Sequence, residues 1–297
     1  MQNLFSRSSS YWVKYSGYEW RKANDGTLYI TPTAEAKPTV YDPLQNADQL
    51  VLDMLNTGLI CMRQKKKAAQ QDAVLQFVSQ YGLLGFFTAL PTTPNFMEYE
   101  AVYLPKNHFI KEETLSTSAY MQFFFAFTQP TFAKKGIESA WHVSGDPMMT
   151  ALAATFGNKP LAMSMSFQRE YAERFDWLVQ QFKDWAFTFF TSFFYYEDHN
   201  RLDEETQRLY RESMAAFDGI APSYHIALLD KPTIIWDFHS LLLGVQMMFS
   251  FLLTDDKSSL RICKGCNKAY IASRSNTAFC SATCKNRFNA EKGRRKG

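Results

Sequence analysis

Cysteine is scarce in this sequence, five residues in 297. The opening stretch, MQNLFSRSSSYWVKY, lacks the long apolar run and small-residue cleavage site of a secretory signal. A reducing, cytoplasmic setting is therefore expected, where clustered thiols bind metal rather than pair as disulfides. Uncharged runs long enough for a membrane are also wanting. WAFTFFTSFFYY (185–196) is too short to span, and the run at 234–253 carries Asp237, His239 and Gln246. An ionised Asp inside a bilayer is costly, so this second run reads as a buried core helix and no membrane partner is expected. There is no phosphate-binding glycine loop, no dinucleotide fingerprint and no nucleophile elbow. The histidines His108, His142, His199, His225 and His239 are scattered, and SGDP after His142 reads as a turn. Asp237 and His239, two apart, fall on different faces of the helix read there. Glu170, Glu173, Asp176 and Asp184 read as the solvated face of a long helix. No catalytic residue is assigned, and the chain is not expected to be an enzyme.

Acidic residues are missing from one place in particular. Residues 257–297 hold eleven Lys or Arg against the single acid Glu291, a charge of +10. The whole chain carries +3, which leaves −7 on residues 1–256. An acidic body joined to a basic tail suggests that the tail alone meets a polyanion.

What is abundant is aromatic and apolar character: 26 Phe, with aromatics at 16%. The pattern predicts an α+β chain, helix dominant, divided into a body (1–256) and a C-terminal module (257–297). Within the body, 1–45 is β-rich and 46–256 helical. Asn24-Asp25-Gly26 between Tyr-, Trp- and Ile-rich runs predicts a hairpin, and AKPTVYDP an extended link. Helices are expected from Leu44 onward, with Leu50, Met54 and Leu55 on one side, and over QQDAVLQFVSQYG, ended by Gly82. RQKKK (63–67) between them reads as a solvated connector. EYEAVYLP (98–105) and SYHIALL (223–229) read as strands. Ser164–Asp198 reads as one long helix, with Phe167, Tyr171, Phe175, Leu178, Phe182 and Trp185 at spacings of three and four. RLDEETQRLYRESMAAFDG reads as another, stopped by Gly219. The last core helix is expected to begin at Asp230 and Pro232. Tyr171, Phe175, Trp177 and Trp185 suit either core packing or the lining of a small-molecule sensor pocket.

The remaining four cysteines are Cys263-x2-Cys266-x13-Cys280-x3-Cys284. Two close pairs joined by a short loop suit a closed tetrahedral site for one zinc ion, structural because no coordination position is left open. Gly265 and Asn267 tolerate the left-handed backbone that a tight knuckle needs. KAYIA and TAF are expected to pair as a hairpin around SRSN. Ser281 is expected to cap a helix that carries Cys284 in its first turn and stops at Gly293. Knuckle, hairpin and helix make a treble-clef-like arrangement. About 35 residues with only Tyr270, Ile271, Phe279 and Phe288 as core cannot offset their own ordering, whereas zinc binding on the order of 10–16 kcal/mol can.

CSATCKNR, ending in Cys284-Lys285-Asn286-Arg287, resembles the CGNR-type zinc finger at the C-termini of bacterial transcription regulators, with Lys285 in the glycine place. RICKGCNKAYIASR is similar to that family's first knuckle, and LVLDMLNT (50–57) to a motif of the accompanying N-terminal domain. The resemblance covers about 40 residues and implies DNA binding and transcription regulation.

Lys264, Lys268, Arg274, Lys285, Asn286, Arg287, Lys292, Arg294, Arg295 and Lys296 are the candidate nucleic-acid contacts, DNA before RNA. Lys and Arg neutralise phosphates, and Arg and Asn also pair with base edges. One finger has a small footprint, so specificity calls for a homodimer, with the body as the dimerisation or effector-sensing part. Docking of a protein and a purely structural clasp remain the other readings of the module.

Overall fold

The structure is a computed structural model that describes residues 8–85, 100–103, 114–127, 169–198, 201–215, 222–238, 240–253, 259–272 and 277–294. The architecture is α+β. Strands β1 (Ser8–Ser10), β2 (Trp12–Tyr15), β3 (Tyr18–Lys22), β4 (Leu28–Pro32) and β5 (Pro38–Tyr41) occupy the N-terminal part. Asn24-Asp25-Gly26 forms the β3–β4 hairpin turn, with Gly26 at φ 83° and the Asp25 carboxylate accepting from the Thr27 amide and hydroxyl. AKPTVYDP is more than a link. Pro38–Tyr41 pairs antiparallel with β2, and proline is tolerated there as the first residue of an edge strand.

Helix α1 (Ala47–Arg63) lies at the centre. It packs on α2 (Lys67–Tyr81), on α4 (Phe175–Asp198) and on α6 (Leu241–Leu253). Leu50, Val51, Met54 and Leu55 of α1 are fully buried, as the spacing in the sequence requires. Gly58 permits the close crossing with α4, because a Cβ there would collide with the Phe182 carbonyl. Between these lie β6 (Ala101–Tyr103), β7 (Thr114–Ser116), α3 (Thr117–Phe124) and β8 (Glu173–Arg174), and beyond α4 lies α5 (Glu204–Ala215). The Asp203 carboxylate caps α5 by accepting from the Thr206 amide. Gly219, expected to stop that helix, lies outside the described residues, as do Phe167, Pro105 and the SGDP turn.

Three expectations for the body are corrected. The long helix does not run unbroken across 171–174: Tyr171 and Ala172 are non-helical, β8 pairs with β4, and α4 starts at Phe175. The cause is Glu173, which is buried rather than solvated. Its carboxylate accepts from the Leu84 amide at 3.1 Å, the Gly85 amide at 2.7 Å and the Tyr171 hydroxyl at 3.1 Å. A carboxylate taken out of water requires such donors, and meeting them draws the chain out of its helical path. Asp176 and Asp184 are side-chain partners of Arg174 and Gln180.

Second, Pro232 does not start a helix. β10 (Pro232–Asp237) pairs antiparallel with β9 (Ser223–Leu228) and parallel with β1, so this β-branched run is a central strand. The region after residue 46 therefore contains sheet as well as helix. Third, Asp237 sits on this strand, not on a helix, and its partner is His225, Nδ1 to Oδ2 at 2.8 Å across the hairpin. His239 lies outside the described residues.

The aromatic residues of the body pack on one another. Phe124 stacks on Tyr171 with ring centres 6.1 Å apart, Trp20 meets Phe175 edge-on at 5.2 Å, and Trp185 meets Phe249 at 5.2 Å. Tyr171, Phe175 and Trp185 are buried in the main core, and Trp177 packs against it. Among the described residues, no helix is long and apolar enough to cross a membrane.

Candidate metal centre

The C-terminal module is built from a hairpin, β11 (Ser259–Ile262) and β12 (Ala269–Ala272), and from helix α7 (Ala282–Arg294). The hairpin differs from the expected one. β12 pairs backward with Ser259–Ile262, so the Cys263–Cys266 knuckle is the tip of the hairpin itself. Two backbone bonds close that tip, Asn267 amide to Cys263 carbonyl at 2.8 Å and Cys263 amide to Lys268 carbonyl at 2.9 Å. TAF returns alongside without forming a strand: the Tyr270 hydroxyl donates to the Thr277 carbonyl and the Lys264 amide to the Ala278 carbonyl.

Asn267 takes the left-handed conformation, φ 58°, alone among the described non-glycine residues. Asn adopts it at low cost, as expected. Gly265 has a different role from the expected one. It does not have positive φ, and it is needed for proximity, since a Cβ there would lie 2.7 Å from the Cys284 carbonyl oxygen. The Ser281 hydroxyl accepts from the Cys284 amide at 3.2 Å, the expected cap, and Cys284 falls in the first turn of α7. α7 continues through Gly293 to Arg294, so that glycine lies in the last turn rather than after it.

These local features bring the four sulfurs together. All four Sγ atoms lie within 4.8 Å of one another. Cys266 and Cys280 are separated by 3.7 Å, Cys280 and Cys284 by 3.5 Å. Four ligands about 2.3 Å from one tetrahedral ion would stand about 3.8 Å apart, so the donor set fits a single metal ion. Disulfides are not formed, and all five cysteines are free thiols. The fifth, Cys61, is a buried residue of α1, and burial pushes its thiol up to about 11.

The thiols of the cluster do not ionise alike. Burial opposes charge on Cys263, yet amide N–H groups of Cys280, Cys266 and Gly265 outweigh it and bring the thiol down to about 6. The Cys280 amide reaches its sulfur at 3.3 Å. Desolvation and crowding by the neighbouring sulfurs push Cys280 up to about 12, and Cys266 is also raised. The Cys263 thiolate is stabilised by backbone amides of Cys280 and of the knuckle. Cys266 and Cys280 are held toward the neutral thiol, and a cation among the sulfurs would favour their thiolates.

Beyond its ligands, α7 is held by little. No residue of it is buried. Phe288 meets Phe279 with ring centres 5.3 Å apart, and the Arg287 guanidinium donates to the Gly265 carbonyl at 2.8 Å. Arg287 therefore braces the knuckle against the helix. Lys285, Asn286, Lys292 and Arg294 are exposed along α7, and Lys264 and Lys268 are exposed at the knuckle. Arg274, Arg295 and Lys296 lie outside the described residues.

Two residues of α1 that the sequence did not single out hold the module to the body. The Asn56 side chain accepts from the Ala269 amide at 2.8 Å and donates to the Ala269 carbonyl at 3.2 Å. The Arg63 guanidinium donates to the Asn267 carbonyl at 2.9 Å. Leu260 and Ala269 are buried in the same core as the body. The available signal was a lone Asn inside the apolar run LVLDMLNT. No family model, curated protein or solved structure matches this chain.

Proposed function

We propose that the four-sulfur centre holds one structural zinc ion and that the resulting finger presents α7 to nucleic acid, duplex DNA before RNA, as in the CGNR-type bacterial regulators that the knuckle resembles. The observation that carries this reading is the state of α7, a helix of 13 residues with none buried. Its exposed cations Lys285, Lys292 and Arg294 have no acidic partner among the described residues. An isolated helix of this length is marginal in water, so a partner-free basic helix is maintained by the metal ligands and its brace. Zinc suits four thiolates and no open position, which gives it a structural and not a catalytic part. The test is the affinity of the zinc-loaded chain for a labelled duplex and for single-stranded RNA across a range of salt. A steep negative slope of log affinity against log salt supports phosphate contact, and a flat slope contradicts it.

A second reading, the finger as an intramolecular clasp, is favoured by the paired hydrogen bonds between Asn56 and the Ala269 backbone. On that reading the metal fixes the C-terminal hairpin onto α1. The two are compatible, because the clasp uses the hairpin and leaves α7 exposed.

A further inference from the structure

The finger docks along α1, through Asn56 in its middle and, at its C-terminal end, through Arg63, which donates to the Asn267 carbonyl. The sequence there is RQKKK, residues 63–67, which joins α1 to α2. On composition alone this is a solvated connector. Its position gives it more significance. Residues 1–256 carry a net −7, and within them this run concentrates four cations in five positions without an acid.

The four cations are not equivalent. Arg63 is bonded to the knuckle. Lys67 lies over the Phe175 ring, its ammonium 5.0 Å from the ring centre. Lys65 and Lys66 are exposed and make no ion pair among the described residues, and α2 has no acid in its first turn to neutralise them. On the finger side, Lys268 immediately follows Asn267, and Lys264 sits one residue past Cys263; both are exposed and have no ion pair among the described residues. Lys65 is two residues along the chain from Arg63, a span of at most about 7 Å. About two phosphates of each strand occupy that length of duplex axis.

We infer that the connector's Lys65 and Lys66 form, with Lys264 and Lys268 of the knuckle, one continuous phosphate-binding surface, so that the body contributes directly to the nucleic-acid site. The inference rests on the nucleic-acid reading of the finger and extends it to a part of the chain outside the basic tail. Arg63 is the positioning residue: its bond to Asn267 sets the connector beside the knuckle. Like-charged lysines held together at such a seam repel one another, and a polyanion laid across both removes that repulsion and releases counterions from itself.

The experiment uses the full-length, zinc-loaded chain and a fluorescent duplex of arbitrary sequence, with anisotropy titrations at several salt concentrations. Lys65→Gln/Lys66→Gln is compared with Lys285→Gln/Lys292→Gln on α7 and with Lys22→Gln/Lys231→Gln at the β3–β4 and β9–β10 turns. Circular dichroism and metal content verify that each variant is folded and loaded. The connector variant is expected to lower the magnitude of the salt slope by about 1.8, two contacts at about 0.9 each, and to weaken binding about tenfold or more at low salt. The turn variant is expected to match wild type. If the α7 variant loses slope while the connector variant behaves like the turn variant, this inference is overturned and the finger reading stands. If the wild-type chain binds no duplex at any salt, both are overturned.

Discussion

Asn56 and Ala269, 213 positions apart, form a two-bond clasp in which one carboxamide satisfies both backbone groups of a buried strand residue. The carboxamide directs its N–H donor and its C=O acceptor at the same residue. The hairpin carrying half of the metal ligands is thereby joined to the central helix of the body. Asn56→Ala leaves both backbone groups without partners, so we expect a loss of about 1–3 kcal/mol, read from urea unfolding of the zinc-loaded chain. No change in midpoint would show that the clasp carries no stability.

Gly265 allows the knuckle to approach α7. In Gly265→Ala the new methyl would stand 2.7 Å from the Cys284 carbonyl oxygen, a backbone atom that cannot swing aside. The knuckle must shift, taking Cys263 and Cys266 with it. Competition with a chromophoric chelator is expected to show metal affinity about 10–100-fold weaker. Asn267→Gly, in contrast, keeps the left-handed backbone and is expected to retain wild-type affinity. Equal affinities for both variants would contradict the knuckle geometry.

Glu173 is expected to be sensitive to a change of one atom. Glu173→Gln turns one acceptor oxygen into a donor NH2, which then faces either the Leu84 or the Gly85 amide. The protein should lose about 2–3 kcal/mol, because hydrogen bonds to a charged acceptor are the stronger kind. Chemical denaturation measures it, and a neutral substitution would mean that the carboxylate is not what draws 171–174 into extended form.

The tyrosines set an alkaline limit. Burial raises Tyr18, Tyr29, Tyr41, Tyr81 and Tyr120 above the ordinary phenol value and brings Tyr15 to about 12. A group raised in the folded state adds stability that is complete below its unfolded value, about pH 10, and is lost as pH climbs through the folded value. Tyrosinate absorbance of the native chain should therefore fall short of fifteen residues above pH ~10 and reach fifteen only with unfolding. All fifteen titrating together near pH ~10 would contradict the burial.

How far the sequence could be read depended on the range of the forces involved. The apolar spacing of α1, the Asn-Asp-Gly turn and the cysteine spacing are local, and each gave its element directly. Ser281 could be assigned as a cap for the same reason: its partner is the Cys284 amide three residues on. Glu173 looks like any surface acid on a helix until Leu84 and Gly85, nearly ninety positions away, supply their amides. Residues 232–237 look helical beside the apolar run that follows, and become a strand because β1 and β9 flank them. Asn56 stood out only as a lone Asn in LVLDMLNT and Arg63 only as part of a charge run, because their partners belong to another module. The exposure of α7 was legible only as charge; that none of its residues is buried is a property of the fold.

The central claim is that a metal ion on four sulfurs maintains the finger and its basic helix. The most direct measurement is the metal content of the native, unoxidised chain, paired with amide exchange across residues 282–294 before and after chelation. The account requires one zinc ion per chain and protection of α7 that disappears when zinc is removed. A chain with four free thiols, no metal and an α7 that remains protected would contradict it.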